Sequence, residues 1–129
     1  MYSLLIKTTR RCEMVDITRK VQDMLTSHSQ PVCVCIVYVP HTTAGVTINE
    51  NADPTVQQDI LMGLDRIVPA GQPFRHLEGN SDAHIKASLM GSSQTIIVEN
   101  NKLVLGTWQG IYLAEFDGPR QRNVLVQFI

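Results

Sequence analysis

The sequence predicts an α+β fold, a mostly antiparallel sheet or sandwich with two to three helices, in a single domain over residues 1–129. Two patterns favour this class. Strand-like apolar segments lie near both ends of the chain, and segments with apolar residues every three or four positions lie between them. No internal repeat or low-complexity linker interrupts the sequence. At 129 residues the chain is long enough to bury a core of its own, so one domain is expected.

The first third of the chain is expected to hold strands and one helix. Residues 2–9 have the content of apolar residues that is typical of a strand, and residues 14–17 are expected to continue this strand or pair with it. Thr18 is a candidate N-cap for a helix. The apolar positions of that helix are Val21, Met24 and Leu25. Residues 32–39 form a nearly continuous apolar run rich in β-branched side chains, which predicts a strand buried on both faces.

A second helix is expected to begin at Pro54 and to run to about residue 67. Asp53 suits the N-cap and proline suits the first helical position. The apolar side of this helix consists of Val56, Ile60, Leu64 and Ile67. The polar, proline-rich and glycine-rich composition after residue 67 predicts a long loop.

A short third helix is predicted over residues 83–90. Ser81 or Asp82 is a candidate N-cap. Gly91 is a candidate end, because glycine readily adopts the left-handed conformation that often follows a helix.

The last third is expected to be an antiparallel meander. Strand patterns at residues 95–99 and 102–105 flank Asn100 and Asn101, a pair that tolerates positive φ and suits a tight hairpin turn. Further strands are predicted at residues 111–116 and 123–129, on either side of an Asp-Gly-Pro turn.

Composition argues against two classes of partner. The net charge is −1 and aromatic residues make up 5% of the chain, so it lacks the basic field and the stacking surface that nucleic-acid binding needs. It also lacks the run of about 20 apolar residues typical of a membrane span, and the residue order of a signal peptide. We expect a cytoplasmic protein with no nucleic-acid or membrane partner.

The three cysteines do not form an even disulfide framework. Cys33 and Cys35 are spaced to share one face of a strand. Together with Cys12 they are expected to act as small buried hydrophobic residues in a reducing compartment. A metal role for the Cys33–Cys35 pair is the minority alternative.

Residues 40–54 hold the densest group of ligand-type side chains. The group contains His41, Thr42, Thr43, Asn49, Glu50, Asn51 and Asp53. Alternation after Gly45 predicts a short half-buried strand that leads towards the second helix. Two interpretations stay open: the polar groups satisfy the backbone of a strand, turn and helix cap, or they form a functional site.

Three of the four histidines are expected in loops or at the ends of elements, namely His41, His76 and His84. Three neutral imidazoles with one open position are the usual arrangement of a catalytic zinc-like site. No short zinc motif is present, so three independent hydrogen-bonding or surface histidines stay an alternative. His84, near the start of the third helix, is expected to point back at the loop that holds His76 and Glu78. His28 lies at the end of the first helix, where a structural role is expected.

Several other side chains are candidates for catalysis. Glu50, Asp53, Glu78 and Glu115 could act as acids, bases or metal partners, although residues of this type are commonly solvated or capping. Lys86, one turn into the third helix, could hold a phosphate near the helix N-terminus. An exposed lysine is the alternative.

Trp108 lies between Gly106 and Gly110 and is the only tryptophan in the chain. With its neighbour Gln109 it could stack on a flat ligand and hydrogen-bond to it, because glycine allows close backbone approach. The alternative is a bulged strand whose tryptophan fills the core or a subunit interface.

Three sequence runs resemble the secondary thiamine-phosphate synthase enzyme family, also called YjbQ-type proteins. The runs are HTTAGVTINENADP, RHLEGNSDAHIKASLMGSS and LGTWQGIYLAE, and they occur in the family's order within residues 32–129. The resemblance implies an α+β protein that assembles as a homotrimer, with a pocket at or near the subunit boundary. One departure is Asn101, where the family usually has glycine. Asparagine tolerates the same backbone region.

The resemblance also implies a set of site residues, carried over motif by motif. The implied metal ligands are His41, His76 and His84, which would hold a divalent metal ion such as zinc or magnesium, or the anion of the substrate. The implied catalytic residues are Glu50, Glu78 and Lys86. The implied substrate-binding residues are Thr42, Thr43, Asn49, Asn51, Asn80, Trp108 and Gln109.

The activity implied by the resemblance is thiamine-phosphate synthesis. A hydroxymethylpyrimidine pyrophosphate is joined to a thiazole phosphate, and pyrophosphate is released. Two other hypotheses stay open: a metal-dependent hydrolase or transferase that acts on another small phosphorylated substrate, and a non-enzymatic trimeric binding module.

Overall fold

Eight strands and three helices make up the fold, in a computed structural model that describes residues 1–129. In chain order they are β1 (Tyr2–Lys7), β2 (Glu13–Asp16), α1 (Thr18–Ser27), β3 (Val34–Tyr38), β4 (Ala44–Glu50), α2 (Pro54–Ile67), α3 (Ser81–Met90), β5 (Ser93–Glu99), β6 (Lys102–Leu103), β7 (Gln109–Glu115) and β8 (Gln121–Phe128). The strands form two antiparallel sheets, in the orders β1-β8-β3-β5-β6 and β2-β7-β4. The predicted α+β class with three helices is confirmed.

The predicted C-terminal meander is wrong, because β7 and β8 lie in different sheets. β7 is buried from Gly110 to its last residue, as expected for a central strand that is covered on both faces. Ile111 and Leu113 face the main core, whereas Ala114 packs with α3 in a second cluster. β8 instead buries alternate residues, which suits a sheet with one face on the core. β7 and β8 are neighbours in sequence, and their different burial patterns reflect their positions in different sheets.

The main core is a cluster of 16 buried residues that includes Val21 and Leu25 of α1. β3 contributes Cys35 and Val37 to it, while the alternate positions of β3 are only half-buried and Tyr38 is exposed. The prediction of burial on both faces is therefore wrong for β3, because its outer face has no covering element. Cys33 precedes the strand and is exposed, so of the pair only Cys35 behaves as a buried hydrophobic residue.

α2 begins and ends where the sequence predicted, with the Asp53 side chain accepting a hydrogen bond from the Thr55 backbone N–H at 2.9 Å. None of its residues is fully buried, and Ile67, expected on the packed side, is exposed. Thr18 is the first helical residue of α1 rather than its N-cap, because its hydroxyl accepts a hydrogen bond from the backbone of Ile111 at 2.8 Å.

α3 begins at Ser81, with Asn80 in the N-cap position, so the prediction of Ser81 or Asp82 as the cap is wrong. Asp82, which is buried, instead forms an ion pair with the partly exposed Arg11. Gly91 ends the helix with φ +91°. Asn100 and Asn101 both have positive φ and join β5 to β6, which confirms the predicted hairpin.

β4 sets the positions of most candidate residues. It pairs with β7 so that Ala44 lies opposite Glu115 and Glu50 lies opposite Gln109. At ~3.3 Å per residue the two ends of this strand are roughly 20 Å apart. The longest helix has 14 residues, and none of the three combines the length and hydropathy of a membrane span.

Candidate functional site

A cavity of about 380 Å³ lies between the β3–β4 loop and α3. His41 and Thr42 line it from the loop, and His84 and Ser88 line it from the helix. The remaining lining residues are Ala44, Ala87, Gly91 and Ser92. Two of the three histidines singled out by the sequence therefore share one cavity, although 43 positions (84 minus 41) separate them in the chain.

A second cavity of about 420 Å³ shares Thr42 and His84 with the first. Every residue that lines it is polar. The other members are Thr43, Glu78, Asn80, Asp117 and Arg120. The side-chain amide of Asn80 donates to Asp117 at 2.9 Å, and Arg120 lies 3.2 Å from the same carboxylate. The two cavities bring together two imidazoles, an amide, hydroxyls and a guanidinium, which are groups that recognise phosphate oxygens, beside the carboxylates of Glu78 and Asp117.

His41 owes its position to the end of a sheet ladder. β3 pairs with β8 up to Tyr38 opposite Leu125, so the next hydrogen-bonding pair in this register would be Pro40 with Asn123. The chain turns away there, and Nε2 of His41 accepts the backbone N–H of Asn123 at 2.9 Å instead. Burial, and next the charge of Arg122, lower the pKa of His41. The imidazole is therefore neutral at physiological pH.

His84 and His76 contact each other edge to face, with ring centroids 5.6 Å apart. Nε2 of His76 lies 3.5 Å from the Glu78 carboxylate, and both side chains are substantially exposed. His84 thus points back at the loop that carries His76 and Glu78, which is the direction expected for a side chain in the first turn of a helix.

The three histidines do not converge as metal ligands do. No three His, Cys, Asp or Glu side chains lie close enough together to hold an ion in this arrangement. His41 has a further limit: its Nε2 lone pair already accepts a hydrogen bond, so the neutral ring carries its proton on Nδ1. As arranged, His41 does not fit a metal ligand. The three-histidine metal site stays a prediction.

A buried ion pair fixes the loop that carries His41. Arg122 Nη2 lies 2.5 Å from Glu115 Oε2 and 2.8 Å from the Thr43 hydroxyl. The Thr8 hydroxyl donates to the same carboxylate at 2.8 Å. All four side chains are buried. Glu115 and Thr43 therefore hold the start of β4, and Glu115 lines neither cavity.

Lys86 is only 1% exposed, so the alternative of an exposed lysine is wrong. Its ammonium lies 3.1 Å from Asp65 and 3.6 Å from Asp82. Arg11 binds Asp82 through two hydrogen bonds of 3.0 and 3.1 Å. Burial alone would raise the pKa of Asp82, but the hydrogen bond and charge of Arg11, with the charge of Lys86, lower it below its ordinary value. Lys86 lines neither cavity and anchors α3.

The remaining predicted residues lie at the other end of β4. Asn51 donates its backbone N–H to the carbonyl of Trp108 at 2.9 Å, and the Asn49 side chain accepts from the backbone of Glu50. Gln109 caps the neighbouring loop by accepting from the Gly106 backbone at 2.7 Å. Trp108 is 63% exposed, so it does not fill the core of this chain. In one protomer these residues are not part of the His41–His84 site.

Three residues that line the cavities were not predicted from the sequence, namely Arg120, Asp117 and Ser88. Arg120 and Asp117 lie in the turn between β7 and β8, which the sequence marked only as a turn. Their approach to Thr42 follows from the pairing of β8 with β3. No local pattern in the sequence predicts that β8 pairs with β3. Ser88 is one turn after His84 on α3, and the four-residue spacing could have identified it.

The chain matches the family model described as UPF0047 protein YjbQ-like over residues 2–129. It belongs to this family. A UPF0047 protein of Methanocaldococcus jannaschii is 53% identical over 129 residues, which cover 100% of this chain and 94% of that protein. YugU of Bacillus subtilis is 52% identical over 128 residues, which cover 98% of this chain and 97% of YugU.

Solved structures of the family share this fold. A YjbQ/UPF0047 protein of Clostridium acetobutylicum superposes with a TM-score of 0.97 at 53% identity, over 100% of both chains. A conserved protein of Thermus thermophilus superposes with a TM-score of 0.93 at 45% identity, again over 100% of both chains. The YjbQ-type resemblance is thus confirmed at the level of family and fold. The names of these relatives state no reaction.

Proposed function

We propose that this chain is an enzyme that acts on small phosphorylated substrates in the two cavities that share Thr42 and His84. Thiamine-phosphate synthesis is the reaction we propose first. The observation that carries the proposal is that two histidines line adjoining cavities, one of which is entirely polar and includes an arginine.

In the polar cavity, Arg120 is the side chain we assign to a phosphate or pyrophosphate group, beside the carboxylates of Glu78 and Asp117. Arg120 uses its Nε to donate to the Asp117 carbonyl at 2.8 Å and one terminal nitrogen to contact the Asp117 carboxylate. A guanidinium carries five N–H donors, so donors remain for a substrate anion. The hydroxyl of Thr42 adds a neutral donor at the point that both cavities share.

In the proposed reaction the bond between the pyrimidine methylene carbon and the pyrophosphate oxygen breaks, and pyrophosphate leaves with the electron pair. The thiazole nitrogen attacks the same carbon with its lone pair, which forms the new C–N bond of thiamine phosphate. Charge develops on the leaving oxygen, so donors held in place around it lower the barrier. Arg120 and His84 are the side chains we assign to that task.

A second candidate is a hydrolase or transferase that acts on another small phosphorylated substrate at the same site. One observation favours it: no aromatic ring apart from the imidazoles lines the two cavities. Trp108, which was expected to stack on a ring of the substrate, lies near the other end of β4. A substrate without an aromatic ring would therefore suit one protomer equally well.

The test is a direct assay of thiamine phosphate formation from the two phosphorylated precursors, with Mg²⁺ or Zn²⁺ supplied or removed. Phosphate and pyrophosphate release from a panel of small phosphate esters is measured in parallel. We expect His84→Gln to lower kcat/KM by about 100-fold or more, the typical effect of losing an acid–base group. His28→Gln is the matched control, since His28 hydrogen-bonds to Tyr2 and lines neither cavity.

Two results separate the candidates. Thiamine phosphate formation that depends on His84 supports the synthase. Ester hydrolysis that depends on His84, without thiamine phosphate, supports the second candidate. If the wild-type protein is inactive in every assay and metal condition, the enzyme proposal is contradicted and the binding-module hypothesis takes its place.

The divalent ion, the homotrimer and the cytoplasmic location stay predictions. The metal content per protomer and the mass of the assembly in solution test the first two directly. A homotrimer would also provide a way for the Trp108 end of one chain to approach the histidines of another, as the resemblance implies.

A further inference from the structure

The bond between His41 and Asn123 replaces a backbone hydrogen bond of the sheet. Asn123 lies in β8, and its partner in the register would be Pro40, where the β3 ladder has already ended. The Asn123 N–H therefore needs another acceptor, and Nε2 of His41 takes it at 2.9 Å. Because the donor belongs to the backbone of a paired strand, it is fixed in direction and cannot turn away.

This bond determines the protonation of the ring. A neutral imidazole has one nitrogen that accepts and one that donates. With Nε2 accepting from Asn123, the proton must be on Nδ1, and a doubly protonated ring would set two N–H groups against each other. His41 is thus left with one free polar function, an Nδ1–H donor, and with no lone pair for a cation.

The surroundings of His41 favour an anion as well. Neither of the two cavities that His41 lines includes a carboxylate. The second of them, about 480 Å³ in volume, is lined by Arg120 and Arg122 beside Thr42 and Thr43, and each arginine is also paired with a carboxylate outside this cavity, Asp117 and Glu115 respectively. Cation sites in proteins are normally built from carboxylates, carbonyls or free imidazole nitrogens. Arginine and hydroxyl groups around a neutral N–H donor are instead the chemistry of an oxyanion site.

We infer that His41 is a fixed hydrogen-bond donor, acting through Nδ1–H on an anionic oxygen of a phosphorylated ligand, rather than a ligand to a metal ion. The inference rests on the proposed function for the class of ligand, and it assigns His41 to the anion and excludes it as a ligand of the divalent ion. His41 positions the ligand, and His84 remains available as the acid–base group.

The first test observes the ring nitrogens directly. In protein with ¹⁵N-labelled histidine, the resonances of His41 are assigned from their loss in His41→Asn. We expect the neutral Nδ1–H form at neutral pH, with both nitrogen shifts unchanged on addition of Zn²⁺. An Nε2–H form, or a large shift of the His41 nitrogens with Zn²⁺, would overturn the inference without affecting the proposed substrate class.

The second test compares two amide substitutions with inorganic pyrophosphate as the probe. The amide nitrogen of asparagine can take the position of Nδ1, so His41→Asn keeps a donor towards the cavity. Glutamine reaches the Nε2 position, so His41→Gln keeps an acceptor for Asn123 and loses the donor. By calorimetry we expect His41→Gln and His41→Ala to weaken binding by about 10-fold to 100-fold, as for one hydrogen bond to a charged group. We expect His41→Asn to retain most of the affinity.

Each outcome bears on a different claim. Equal affinity of His41→Gln and wild type contradicts the donor role, and so does an equal loss in both amide variants. If wild type binds no pyrophosphate, the donor role fails together with the phosphorylated ligand of the proposed function. If wild type binds pyrophosphate and turns over substrate while the amide variants fail to differ, only the assignment of His41 fails.

Discussion

The two ends of β4 carry similar polar side chains but are built differently. At the start of the strand, Thr43 is buried and hydrogen-bonded to Arg122, which is itself paired with Glu115. At the end, Asn51 and Trp108 are exposed, and Oε2 of Glu50 is buried without a hydrogen-bond partner. A satisfied buried network holds side chains in one geometry, and the exposed end has no such support.

A dense group of polar residues in the sequence therefore does not identify one site in the structure. Residues 40–54 look continuous in the sequence, yet the extended strand separates their two ends by roughly 20 Å. Only the start of β4 lies beside a polar cavity that contains an arginine, Arg120, and a histidine from another element, His84 of α3. Preorganised donors are the feature that binding and catalysis require, so we assign function to that end.

Removing the buried cation should have the largest effect on the start of β4. Arg122→Met leaves Glu115 buried without its partner, and the loss of one partner of a buried ion pair typically lowers the free energy of unfolding by about 3–5 kcal/mol. Arg120→Met is the matched control, because Arg120 is half exposed and an exposed pair contributes about 1 kcal/mol or less. Urea unfolding of both variants measures the difference, and equal effects would contradict the buried network.

The anchor of α3 should respond to pH. The pKa of Asp82 is lowered from its ordinary value of 3.8, so its ion pairs stabilise the fold above about pH 4 and that contribution is lost as the pH falls through the folded-state pKa. At neutral pH, Asp82→Asn should lower the free energy of unfolding by about 1.5–3 kcal/mol, as for hydrogen bonds to a charged group.

The difference between Asp82→Asn and wild type should shrink as the solution is acidified below pH 4. Asp23→Asn serves as its control, since Asp23 is 72% exposed and lies 4.0 Å from Arg19. Denaturant unfolding over a pH series makes the measurement. A difference that does not change with pH would contradict the ion-pair explanation.

Close packing at the start of β4 can be tested with a single methyl group. A Cβ at Gly45 would lie 2.6 Å from the Gly91 carbonyl oxygen and 3.1 Å from Met90. Gly45→Ala should therefore push α3 away from the strand and destabilise the fold by roughly 1–3 kcal/mol, as overpacking does. In Gly63→Ala the new methyl meets nothing within 4 Å, so this helical substitution should stabilise by about 0.5–1 kcal/mol. Thermal unfolding distinguishes the opposite signs.

The smallest effect is expected at the far end of β4. Trp108→Ala removes an exposed side chain, so the stability of the protomer should change by about 0.5 kcal/mol or less. Pyrophosphate affinity should stay the same. A loss of affinity as large as that caused by His41→Gln would show that both ends of β4 belong to one binding site, which would contradict the difference between them. The mass of the assembly in solution would then show whether a second chain supplies the tryptophan.

Local patterns in the sequence predicted the elements that depend on local chemistry. Asp53 and Pro54 marked the start of α2, and Asn100 with Asn101 marked the β5–β6 turn, because capping and positive φ are properties of the residues themselves. The approach of Arg120 to Thr42 was not predictable in this way. It depends on which strand β8 pairs with, and β8 also has the alternating pattern of an ordinary strand next to β7.

Lys86 is a second residue whose contacts depend on packing between elements and could not be predicted from local sequence. Its position one turn into the predicted third helix suits a phosphate ligand, yet α3 begins at Ser81 and Asp65 of α2 and Asp82 hold the Lys86 ammonium. The contact with Asp65 depends on how two helices pack together, and charge pairs between elements leave no periodic pattern in the sequence. His84 was better predicted because the direction of a helical side chain follows from the helix geometry alone.

The most direct test of the central claim is to map the binding of pyrophosphate on the backbone amides by ¹H–¹⁵N NMR. We expect saturable shifts to concentrate at Thr42, His84 and Arg120, and the amides of Asn51 and Trp108 to stay unchanged. Shifts confined to Asn51 and Trp108, with none around Thr42, would contradict the assignment of function to the start of β4.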